Sequence, residues 1–173
     1  MDKYIFIKKN FLDKQEIDHC INLVKDCTSM GNNNYYYGEY GDLYSKKFEY
    51  LYIKISKCMG EYIKKHSFLE RTHSPWGLDR NFNLQKYLPG MSYSSEHMEH
   101  GKDDFDCKRL LVWMINLNTI KNGGQTEWPQ QRFKIKPKAG TLTIWPAGWT
   151  HSHRGIVSKT ETKYIMTGWC SFL

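Results

Sequence analysis

Residues 85–101 read QKYLPGMSYSSEHMEHG, a stretch that joins a tyrosine-ended β-type run, a Pro-Gly turn, and a cluster of two histidines and two glutamates. Pro89-Gly90 breaks the first run by turn chemistry. If the chain after it is extended, His97 and Glu99 project to one face, because strand side chains alternate with a period of two. A histidine and a carboxylate on one face can chelate a single ion. The third ligand has to come from elsewhere, and the β-rich part of the chain offers His100, His151 and His153. In a chain with seven histidines, an isolated H-x-E match is a weak signal that by itself favours a surface or hydrogen-bonding role.

Around this segment the chain has the texture of a mainly β domain. From about residue 80, short β-type runs alternate with turn residues: NFNLQKY, CKRLLVWMINLN, TIKNGGQTEW, RFKIKPKAGTLTIWPAGW and TKYIMTGWCSF. Many short strands at such spacing predict a sandwich or barrel. Two helical patterns precede it. Asp13 with Glu16 three residues on has the form of a capping box, and Ile17, Cys20, Ile21, Val24 and Cys27 then recur at helical spacing. A second helical pattern runs from about Leu43 to His66, after the Gly-, Asn- and Tyr-rich MGNNNYYYGEYGD, which is predicted as a loop. KYIFIKKNF at the start predicts a short strand. The expected fold is α+β but mainly β, in one domain spanning 1–173, with helical support over about 11–66 and a β core over about 80–173.

Composition limits the function. The net charge of +7 favours anions, but the lysines are dispersed in short groups, which argues for a solvated surface over a nucleic-acid footprint. The five cysteines are odd in number and contain no C-x-x-C pair, so neither a disulfide framework nor a zinc ribbon is expected. No leader or membrane-spanning stretch is evident, and a cytoplasmic protein is the expectation.

Together with QKYLPGMSYSSEHMEHG, the stretches WMINLNTIKNGGQTEWP (113–129) and KPKAGTLTIWPAGWTHSHRG (136–155) resemble the 2-oxoglutarate and Fe(II)-dependent oxygenases. Within them the chain resembles the prolyl 4-hydroxylase-like group, which includes short stand-alone members encoded by phages. The resemblance runs from FLDKQEIDHCINLV to the last strand. It implies a jelly-roll fold, a double-stranded β-helix of the cupin type, and metal ligation by His97, Glu99 and a distal histidine. In the family a basic residue lies ten positions beyond that histidine and pairs with the far carboxylate of 2-oxoglutarate. Ten beyond His153 stands Lys163, whereas ten beyond His151 stands Glu161, so the resemblance selects His153 and makes His151 a neighbour. Thr126 and Tyr87 become hydrogen-bond donors to the cosubstrate by family position, while Glu96 and His100 should point away. Two departures stand out. Glu99 occupies a place where the prolyl hydroxylases usually have Asp, and one extra residue precedes His97.

Two histidines and a carboxylate leave positions open on Fe(II) for a 2-oxo acid and dioxygen. The implied reaction is hydroxylation of an unactivated C–H bond with release of succinate and CO2, with a prolyl residue of a peptide or protein as the leading substrate. Ascorbate dependence and oligomeric state stay open. The alternatives are the same chemistry on a free amino acid, another small molecule or a nucleobase, and a jelly-roll binding module without catalysis. The halogenase branch has a small residue at the carboxylate position, so Glu99 favours hydroxylation. Trp113, Trp128, Trp145, Trp149 and Trp169 are expected to pack in the core or at its rim, and MGNNNYYYGEYGD and RTHSPWGLD are candidate lids.

Overall fold

The computed structural model describes residues 2–30 and 36–173. The first helix, α1 (Lys14–Val24), begins at the expected capping box: Asp13 accepts from the Glu16 amide at 2.9 Å, and Glu16 accepts from the Asp13 amide at 2.8 Å. Its apolar stripe buries Cys20 and Val24. The second, α2 (Glu49–Lys65), starts six residues later than the periodicity predicts. The cause is Asp42, whose carboxylate accepts from the Tyr44 amide and whose carbonyl accepts from the Ser45 hydroxyl, holding the intervening residues in turns.

Among the described residues, nine strands form two antiparallel sheets. The large sheet has the order β1 (Phe6–Lys8), β7 (Thr141–Pro146), β4 (Arg109–Asn116), β9 (Lys163–Phe172), β3 (Trp76–Tyr87), β2 (Tyr37–Asp42). The small sheet has the order β6 (Phe133–Ile135), β5 (Thr126–Trp128), β8 (Arg154–Gly155). From β4 onward the chain passes repeatedly from one sheet to the other.

Both candidate lids turn out otherwise in part. The second half of MGNNNYYYGEYGD forms β2 and pairs with β3, while residues 31–35 lie outside the described chain. The end of RTHSPWGLD opens β3, because Trp76 and Leu78 pair with Phe172 and Cys170 of β9.

Strand alternation divides the apolar residues between two cores. On β4, Leu111, Trp113 and Ile115 join Phe82, Leu84, Leu142, Ile144 and the apolar faces of both helices. Val112 and Met114 face the other way, and pack with Trp128, Trp145 and Ile165 between the sheets. The helices therefore close one face of the large sheet and the small sheet covers the other. Trp113, Trp128 and Trp145 are fully buried as expected, whereas Trp149 is 71% exposed.

Candidate active site

A cavity of about 550 Å³ opens on the inner face of the large sheet, and its lining includes Tyr87, His97, Glu99, Thr126, His153 and Lys163. All six side chains singled out from the sequence thus meet in one place. The local geometry of the first pair differs from the expectation. Residues 92–99 do not form a strand; a single antiparallel bridge joins His97 to His153, through amide-to-carbonyl bonds of 3.0 and 2.8 Å. Gly155 allows the approach. Its amide donates to the Tyr93 carbonyl at 2.7 Å, and a Cβ there would meet Ser92 Oγ at 2.6 Å.

The two imidazoles are oriented by backbone. His97 Nδ1 lies 2.9 Å from the Ser95 carbonyl and His153 Nδ1 lies 3.2 Å from the His151 carbonyl. A carbonyl only accepts, so each Nδ1 carries a proton, and Nε2 is the nitrogen left to bind an ion once any proton it shares with Glu99 is lost. Each Nε2 faces Glu99 Oε1, at 3.7 Å from His97 and 3.4 Å from His153, and the three potential ligand atoms lie within 4.8 Å of one another. An ion binding such atoms at about 2.1 Å in adjacent octahedral positions would hold them roughly 3 Å apart. Small side-chain shifts would close the set around one ion, and the donor types suit Fe(II).

Charge inside the cavity follows from this arrangement. Burial pushes the Glu99 carboxyl up, but hydrogen bonding and charge from His153 and His97 outweigh it and hold it well below the usual carboxylate range. Burial works against the charged form of His97 too, and Glu99 more than offsets it, leaving its pKa raised. The second oxygen of Glu99 accepts from the Trp169 indole at 3.0 Å. Arg109 lies 3.8 Å over the Trp169 ring, donates to the Glu99 carbonyl at 3.1 Å and pairs with Asp106 at 2.6 Å. Arg109 escaped sequence reading, and Trp169 was expected only to pack. A charged residue opening the apolar run RLLVWMIN was the available signal.

Lys163 is buried at the inner end of the cavity, opposite Tyr87 in strand register. No hydrogen-bond or ion-pair partner for its ammonium is found among the described residues, and burial pushes its pKa down to about 8. Tyr87 donates to Gln85 Oε1 at 2.9 Å, and burial keeps its phenol protonated by pushing its pKa far up. Thr126 makes only a weak contact, 3.8 Å to Met114 Sδ. An unpaired ammonium beside hydroxyl donors fits the carboxylate of a small oxo acid.

The remaining histidines of the cluster point elsewhere. His151 packs edge-on to Tyr4 at 6.1 Å and its Nε2 lies 3.5 Å from Asp2; only its carbonyl reaches toward the site. His100 is exposed, and Glu96 accepts from Ser152.

The sequence profile of the 2OG-Fe(II) oxygenase superfamily matches residues 82–171. The chain belongs to this superfamily. It is a 2-oxoglutarate-dependent dioxygenase with Fe(II), 2-oxoglutarate and O2 as its cofactor and cosubstrates. A search of curated protein sequences returned no significant match. Among solved structures, the oxygenase resembles the viral collagen prolyl hydroxylase of Paramecium bursaria Chlorella virus-1, solved with 2-oxoglutarate, with a TM-score of 0.77 and 23% identity over 98% of this chain and 97% of that one. A Pseudomonas putida prolyl-4-hydroxylase aligns with a TM-score of 0.69 and 16% identity over 98% and 93% of the two chains. A Trichoplax adhaerens prolyl hydroxylase, in complex with a hypoxia inducible factor peptide fragment, aligns at 0.70 and 17% over 98% and 84%. These likenesses are of fold. Among the described residues, no helix of the oxygenase is long and apolar enough to cross a membrane.

Proposed function

We propose that the protein is a prolyl 4-hydroxylase-like enzyme that hydroxylates an unactivated C–H bond in a peptide or protein, releasing succinate and CO2. In this reading residues 1–173 form one domain, and the repeated passage of β4 to β9 between two sheets is a jelly roll, or double-stranded β-helix. The observation that carries the proposal is the convergence of His97 Nε2, Glu99 Oε1 and His153 Nε2 in the cavity that also holds the unpaired Lys163. The prolyl hydroxylases of similar fold support the choice of a peptide substrate.

Each residue then has a task. His97 and His153 present neutral nitrogens whose tautomers are set by backbone carbonyls, and Glu99 supplies the anionic oxygen. Trp169 and Arg109 hold the rest of the Glu99 side chain and its carbonyl, so the longer Glu is steadied where family members usually have Asp. Lys163 pairs with the distal carboxylate of 2-oxoglutarate, with Tyr87 and Thr126 as further donors. Fe(II) held by His97, Glu99 and His153 would supply the oxidative chemistry that couples decarboxylation of the cosubstrate to hydroxylation of the substrate. The buried walls, Met114, Trp145 and Ile165, keep bulk water from the inner end.

An anaerobic titration with Fe(II) and then 2-oxoglutarate tests the assignment. The visible charge-transfer band of the bound oxo acid is expected in the wild type and in His151→Ala, and should be lost in Glu99→Ala and His153→Ala. Loss in His151→Ala with retention in His153→Ala would move the distal ligand by two positions.

A further inference from the structure

The alternating stretch NFNLQKY leaves a feature that neither metal nor cosubstrate uses. On β3, Phe82 and Leu84 enter the core beneath the helices, while Asn81, Asn83, Gln85 and Tyr87 line the cavity. Only the inner pair of these four is joined, by the Tyr87-to-Gln85 hydrogen bond. No hydrogen-bond partner for the side chains of Asn81 or Asn83 is found among the described residues. Asparagine is depleted in strands, and here it occurs twice with the period of one strand face: Asn83 is paired on both sides, with Tyr40 and Thr167, and Asn81 is paired with Asp42 beside a register shift against β9.

Position along the face gives the row its meaning. Strand register sets Tyr87 against Lys163, Gln85 against Ile165 and Asn83 against Thr167, so the charged anchor lies at one end and the free carboxamides at the other. Tyr40 of β2 stands opposite Asn83, is 81% exposed, and lines the same cavity at its mouth. A carboxamide offers both donors and an acceptor, which matches the alternating N–H and C=O groups of a main chain and carries no charge. Residues two apart on a strand are separated by about 6.7 Å, the span of two residues of an extended peptide.

We propose that Asn81 and Asn83 form a carboxamide row that binds the main chain of an extended peptide substrate, on the outer side of the residue presented to the metal. This rests on the peptide-substrate reading above. Recognition is then by backbone rather than by side-chain charge, and affinity grows with the number of residues that reach the row. Gln85, tied to Tyr87, marks the boundary between the substrate and cosubstrate ends.

The test is hydroxylation kinetics with (Ala-Pro)2 and (Ala-Pro)5, followed by mass spectrometry, in the Fe(II)-loaded wild type and in Asn81→Ala/Asn83→Ala. The wild type should show a KM lower by about tenfold for the longer peptide, the size expected from one or two neutral hydrogen bonds. In the double variant that advantage should collapse, while Asn81→Gln/Asn83→Gln should restore part of it. A general folding defect would lower the maximal rate for both peptides alike and leave the length advantage in KM in place, and that outcome would overturn the proposal. A wild type that hydroxylates neither peptide would overturn the peptide-substrate reading itself, and the row's role with it; a length advantage equal in wild type and variant would overturn the row alone.

Discussion

Lys163 shows how far an offset in sequence can be read. Its position ten beyond His153 is where the family resemblance expects a basic partner for a distal carboxylate, but burial, with no anionic partner among the described residues, sets its chemistry. Its pKa is pushed down to about 8 from 10.5 by burial, so the folded protein releases this proton before an unfolded lysine would. Between these values the unfolded state binds more protons, and Lys163 makes folding stability rise with pH. Anion binding has the opposite dependence: it needs the ammonium and weakens as pH rises through 8. We expect the dissociation constant of 2-oxoglutarate to climb between pH 7.5 and 9, approaching about tenfold per pH unit at the upper end. Lys163→Arg should flatten that climb, because a guanidinium does not titrate there. Calorimetric titration across this range checks it, and a flat wild-type profile would remove the ammonium from the binding step.

Among the elements, the turn from β4 to β5 links backbone conformation to the site. Residues 121–125 carry Thr126 into the cavity, and Gly123 has a φ of +78° with a would-be Cβ only 2.2 Å from the Val157 carbonyl. Gly123→Ala combines a left-handed backbone with a clash against main chain that cannot swing aside. It is expected to destabilise the fold by roughly 1–3 kcal/mol, lowering the melting temperature by several degrees. Thermal unfolding followed by circular dichroism reads this directly, and an unchanged melting temperature would mean that the turn relaxes freely. Other elements were legible to different degrees. The capping box of α1 is a local signal and was met in full, whereas the start of α2 was displaced by the hydrogen bonds of Asp42. The segment before His97 was expected to be extended and makes only one bridge, since its partner, His153, is itself a short connection before a two-residue strand.

For the molecule as a whole, the candidate ligands come from two connections that are held to each other by the His97–His153 bridge. A bound ion and oxo acid would join these connections to Lys163 on the large sheet, so loading should stabilise the entire fold. At concentrations near a hundred times their dissociation constants, ligands that bind only the folded state add about 2.7 kcal/mol. For a chain of this size that corresponds to a rise in melting temperature of roughly 5–10 °C. Differential scanning calorimetry under anaerobic conditions, with Fe(II) and 2-oxoglutarate added together, measures it. No rise in the wild type would argue against a shared site, and Lys163→Ala should lose the increment that 2-oxoglutarate adds.

Periodicity and turn residues were enough to indicate a mainly β domain, and the resemblance of three of its motifs to an oxygenase family named the side chains that meet in its cavity. Such signals are local or depend on fixed offsets, and they survive in one dimension. Strand order, the covering of one sheet face by helices, and the neighbours of Glu99 depend on contacts between distant residues. Alternation tells which residues share a face but not which strand lies beside them, so Arg109 and Trp169 met at Glu99 only once β4 and β9 were paired. The same limit hid Asn81 and Asn83. Their pattern reads as an ordinary half-buried strand until the opposite face of β3 is filled by the core and theirs is left facing the cavity.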